Sequence, residues 1–106
     1  MPTDAGLHAQ MTYLIQEEKR YEEQLAELTE DLELWKKRVQ LAEEKGMPDL
    51  ADEARERARG LMTDFKEAEV KLETIQHEKK MLRKEARRPS GEEVARAEAM
   101  LERLRQ

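Results

Sequence analysis

From Leu7 onward the apolar residues of this chain recur in alternating steps of four and three: Leu7, Met11 and Leu14, then Tyr21, Leu25, Leu28, Leu32, Trp35, Val39 and Ala42. That spacing is a heptad seam, a narrow apolar stripe along one side of a helix. Its one polar place is Glu18. A second seam of similar length runs through Ala51, Ala54, Ala58, Leu61, Phe65, Ala68, Leu72, Ile75, Leu82 and Ala86, with Lys79 in its polar place. A stripe this narrow cannot be buried by its own helix, so each seam needs a partner.

The segment between the seams supplies one. Gly46 suits the left-handed residue that ends a helix, Pro48 suits the first turn of the next, and Asp49, Asp52 and Glu53 place negative charge near that helix's positive end. A connection this short makes consecutive helices antiparallel neighbours. The expected fold is all-α: a long antiparallel two-helix coiled-coil hairpin over 1–88, with arms of about 5–45 and 48–88 and a tip at Gly46, Pro48 and Asp49. Beyond Arg88-Pro89, Ser90 and Glu93 form a capping box. Val94, Ala97, Leu101 and Leu104 then carry a heptad-like stripe on a short C-terminal helix over 90–106. At ~1.5 Å per residue each arm extends roughly 58 Å, whereas this third helix spans only ~22 Å and cannot fold back to the tip.

Side-chain size tests the register. With the tip centred between Gly46 and Met47, Trp35 falls opposite Ala58 and Leu28 opposite Phe65, so the bulkiest seam residue meets a small one, as close packing requires. The polar places fall in adjacent layers, Glu18 facing Ile75 and Lys79 facing Leu14. They are expected to approach each other as a seam ion pair that fixes register with little gain in stability; snorkelling of both to solvent is the alternative. On the outer faces, Glu33 with Lys37, Glu53 with Arg57 and Glu67 with Lys71 have the spacing of supporting ion pairs.

Composition narrows the function. With 42% charged and 4% aromatic residues a large globular core is excluded, and without cysteine there is no disulfide framework or thiolate metal site. No apolar run exceeds stretches such as Tyr13-Leu14-Ile15, so neither a signal peptide nor a membrane span is expected, and the expected location is cytoplasmic. His8 and His77 fall ~12 Å apart along the rod, too far to share a metal. The glycines stand alone, and the carboxylates occupy solvated heptad positions. The chain is therefore expected to be non-enzymatic, with no cofactor and no small-molecule substrate. Trp35 lies in phase with the seam and reads as seam core together with Ala58, Leu28 and Phe65.

The net charge of −5 disfavours nucleic acid as a partner. The second arm nevertheless ends in a cationic cluster of Lys79, Lys80, Arg83, Lys84, Arg87 and Arg88. As a solvated helix C-terminus this cluster needs no partner. It also suits a peripheral contact with anionic lipid, or an acidic protein or nucleic acid. Near the tip, Leu34, Leu41, Leu50 and Met62 lie beside the seam, where no other segment of the chain can cover them. Apolar residues so placed point to a self-association surface, with scattered exposed residues as the bland alternative.

One stretch is more specific than a generic coiled coil. Trp35, Arg38, Leu41, Ala42 and Gly46, followed by Asp49-Leu50-Ala51, Ala54 and Arg57, resemble the central hairpin of the phage-shock protein A family, which includes the vesicle-inducing proteins of plastids. The resemblance covers about half the chain. It implies a helical protein that polymerises, binds membranes rich in anionic lipid at the inner membrane face, and serves the bacterial envelope stress response. Relative to that family the arms are shorter, only Met1 to Gly6 stand where the family carries an amphipathic helix, and one short helix stands for a longer C-terminal set. The expectation is a self-associating scaffold in envelope maintenance or its regulation, with further copies of the chain as first partner. A soluble protein-binding adaptor or chaperone-like clamp with no membrane contact is the alternative.

Overall fold

The computed structural model describes residues 4–87 and 91–105. Three helices follow in order: α1 over Asp4–Glu44, α2 over Pro48–Arg87 and α3 over Gly91–Arg105. The fold is all-α, with α1 and α2 packed along one another as an antiparallel hairpin.

The turn follows from its glycine. Gly46 sits at φ 66°, a left-handed conformation that a Cβ would strain. Its N–H donates to the Glu43 carbonyl at 3.0 Å, and the Met47 N–H donates to the Ala42 carbonyl at 2.8 Å. These two bonds form a Schellman motif, which satisfies carbonyls that the end of α1 would otherwise leave open. Helix α2 starts at once: the Ala51 N–H donates to the Met47 carbonyl at 3.0 Å, and Asp49 lies in the first turn.

Between the arms the seams meet. The apolar seam places are buried or half-buried throughout, apart from Ala86, which is exposed near the open end. Those buried are Leu14, Leu28, Leu32 and Ile75, with the small residues Ala42, Ala51, Ala54 and Ala68. Larger seam residues such as Trp35, Phe65 and Leu72 are half-buried, because two helices enclose a side chain from two directions only. Contacts between the arms fit the expected register. Arg57 of α2 lies over the Trp35 ring at 5.8 Å, Lys71 lies over the Tyr21 ring at 5.9 Å, and Arg55 pairs with Glu43 across the opposite side of the rod.

The outer-face pairs differ from expectation. Among the described residues, ion pairs within a helix form at Arg20 with Glu17, Arg55 with Asp52, Arg59 with Glu56 and Arg96 with Glu92. Glu53 with Arg57 and Glu67 with Lys71 are not among them, because Arg57 and Lys71 lean across to aromatic rings on α1 instead. Glu33 and Lys37, both exposed, form no such pair either.

Helix α3 packs on neither arm and buries none of its residues. The molecule measures 91 × 22 × 15 Å, longer than the roughly 60 Å of one arm, so α3 extends the rod past its open end. The expected capping residue Ser90 lies outside the described residues.

Candidate functional site

Two grooves run beside the seam, one at each end of the hairpin. The tip groove, of about 710 Å³, has Trp35, Ala42 and Ala54 from the seam in its lining and is flanked by Arg38, Leu41, Lys45, Met47, Leu50, Glu53 and Arg57. Local packing explains it. Alanines at 42, 51, 54 and 58 let the arms come close, and the Trp35 indole, too large for the seam, stays half-buried at the margin. The Arg38 guanidinium lies 4.4 Å from the centre of that ring, and Arg57 approaches from the other arm. Such stacking is worth about 0.5–1 kcal/mol per cation at an exposed site.

The open-end groove, also about 710 Å³, takes in Leu14 and Leu82 from the seam, flanked by Ala9, Gln10, Tyr13, His77, Glu78, Met81 and Glu85. Both grooves lie on the same side of the rod, as the heptad phase shows. Gln10 and Tyr13 recur four heptads later as Arg38 and Leu41, while Leu50, Glu53 and Arg57 recur four heptads later as Glu78, Met81 and Glu85. The groove centres are about 42 Å apart. Their charges are opposite: the tip groove carries three cations and one carboxylate, and the open-end groove two carboxylates and a histidine.

The four apolar residues expected to form one surface are divided by this geometry. Leu41 and Leu50, each 51% exposed, flank the tip groove together. Leu34 is exposed on the same stripe of α1, one heptad before Leu41. Met62, about a third exposed, has the heptad phase of the Arg55 and Glu43 side and belongs to a different face. Tyr13 and Met81 were missed, although both are strongly exposed at open-end groove positions. Their signal was a recurrence at four heptads, visible only once both arms are placed together.

The polar seam residues meet. Lys79 Nζ donates to Glu18 Oε1 at 2.8 Å, with the two side chains only 13% and 18% exposed. This removes Lys79 from the cationic surface cluster, a correction to the expectation that it served both. Lys80, Arg83 and Lys84 remain exposed on α2; Arg88 and the side chain of Arg87 lie outside the described residues. Midway along the grooved face, the Glu17 carboxylate raises the pKa of the exposed Arg20 guanidinium by hydrogen bonding to it.

Neither histidine has partners for a metal: among the described residues, no three His, Asp or Glu side chains gather in a way that could hold an ion. No helix there is long and apolar enough to cross a membrane. No curated protein and no solved structure gives a significant match to the chain. One family profile matches residues 6–103, which spans both arms, both grooves and most of α3. The chain therefore belongs to the family described as conserved hypothetical protein CHP04376.

Proposed function

We propose that this chain is a non-enzymatic scaffold that self-associates through the grooved face of its hairpin. The observation that carries this reading is the tip groove, where Leu41, Met47 and Leu50 stand about half exposed around a half-buried tryptophan. Among the described residues no other segment of the molecule covers it, since α3 begins at the far end of α2 and packs on neither arm. Contiguous apolar surface in a chain this charged marks an interaction site. A role in maintaining the bacterial envelope, or in regulating its stress response, is supported by the resemblance of Trp35, Arg38 and the Asp49-Leu50-Ala51 stretch to the phage-shock protein A hairpin. Exposed Lys80, Arg83 and Lys84 offer cations for a peripheral contact with anionic lipid, each worth about 1 kcal/mol near such a surface.

Light scattering after size exclusion tests both parts, across a protein concentration series and with vesicles of anionic or neutral lipid. Mass that rises with concentration, and protein that moves onto anionic vesicles alone, are the expected results. A monomer at every concentration that ignores the vesicles would replace the scaffold with a soluble adaptor or clamp.

A further inference from the structure

The two grooves are complementary to each other, and this selects one way for two rods to pair. We infer that two copies associate antiparallel, grooved face to grooved face, about a two-fold axis at the middle of the rod, so that each tip groove covers the open-end groove of the other copy. This inference rests on the self-association proposed above and specifies its geometry.

Charge decides the direction. Side by side and parallel, the rods would set the tip cations Arg38, Lys45 and Arg57 against their own copies, and Glu78 and Glu85 against theirs. Turned antiparallel about that axis, α1 faces α1 of the second copy and α2 faces α2, so that the numbers of facing residues on this face add to about 54 on α1 and about 134 on α2, as the helical rise and the groove positions require. Arg57 then meets Glu78, Arg38 meets Glu17, and Leu41 meets Tyr13. The same register carries into the polar middle of the face, where Asp64 meets Lys71. Two like-charge contacts result at the axis, Glu27 with its own copy and Glu67 with its own copy. A two-fold arrangement makes every favourable pair twice and closes the assembly, with both grooves of both copies occupied. Flanking charges of this kind set partner orientation in coiled coils.

Charge reversal and crosslinking test it on the full chain. Arg57→Glu and Glu78→Arg should each weaken dimerisation about tenfold in sedimentation equilibrium, and the double variant R57E/E78R should restore it, since the reversed charges meet again. Both positions are exposed, so each variant should keep the helical circular dichroism spectrum of the parent. The chain has no cysteine, so Tyr13→Cys and Leu41→Cys report orientation directly. Mixed and oxidised, the two should give a disulfide-linked heterodimer, and neither alone should link efficiently. A self-association in which Leu41→Cys links to itself, or in which the double charge reversal fails to restore the dimer, overturns the antiparallel arrangement and leaves the scaffold standing. A monomer throughout overturns both.

Discussion

At the tip the arms are closed by Ala42, Ala51 and Ala54, with Trp35 held at the margin between Arg38 and Arg57; towards the open end they are closed by Leu14 and Ile75, next to an ion pair between Glu18 and Lys79. The two regions share a heptad and a register but spend their apolar surface differently. Small residues bring the helices close and leave the large apolar side chains outside, so the tip trades core volume for a groove. Towards the open end, larger residues fill the seam, and an ion pair shares the layers of Leu14 and Ile75. Stability and recognition are therefore distributed unequally along one continuous coiled coil.

The sharpest way to break this comparison is at Trp35. If the indole belongs to the tip's core as well as to its groove, Trp35→Ala should cost about 3 kcal/mol in urea unfolding followed by circular dichroism. A cost under about 1 kcal/mol would assign the ring to the surface alone. At the other end, Glu18→Leu should cost about 2 kcal/mol by the same measurement, because it strands the Lys79 ammonium in a largely covered position. Replacing both partners, E18L/K79L, should recover that loss or exceed the parent, since an apolar pair of similar size avoids the desolvation of two charges. If the double variant is as unstable as the single one, the pair contributes net stability and not only register.

The tip turn gives a smaller effect. Gly46→Ala puts a Cβ into a left-handed conformation and should cost about 1 kcal/mol, although the space around the glycine is open. An equal substitution at Gly60, mid-helix with nothing near its Cβ, should stabilise by about 0.5–1 kcal/mol. The opposite signs would show that conformation, not crowding, sets the value of the first glycine.

Most of the fold was legible because a heptad is a one-dimensional code. The seam residues, the break at Gly46 and Pro48, and the pairing of Trp35 with an alanine layer all follow from spacing and size within one helix or one pair. The grooves were less legible. Whether Leu41 and Leu50 share a surface while Met62 does not depends on which flank of the seam each residue occupies, and on which flank of the other arm it then faces. Lys79 shows the same limit: in the linear sequence it belongs to a cationic run, and only the approach of Glu18 from the other arm turns it inward. Arg57 and Lys71 likewise had carboxylates at the expected spacing on their own helix, yet their long side chains found aromatic faces across the seam. Local spacing cannot rank a solvated ion pair against a partly buried ring.

Helix α3 marks the weakest end of the same comparison. Isolated helices of about 12–15 residues are marginal in water, and most helical stability in proteins comes from packing an apolar face. Helix α3 has 15 residues and an apolar stripe, but Leu101 is 55% and Leu104 is 80% exposed, and the helix touches neither arm. Its amides should therefore exchange with solvent almost as fast as those of an unfolded peptide, while those around Leu28 and Leu32 exchange only on global opening. Leu101→Glu with Leu104→Glu should correspondingly leave the unfolding midpoint of the hairpin unchanged, to within about 0.5 kcal/mol. Hydrogen exchange read as a function of protein concentration makes this a test of assembly as well. Protection of α3 that is absent in dilute solution and grows on concentration would mean that a second molecule supplies the surface its own hairpin does not.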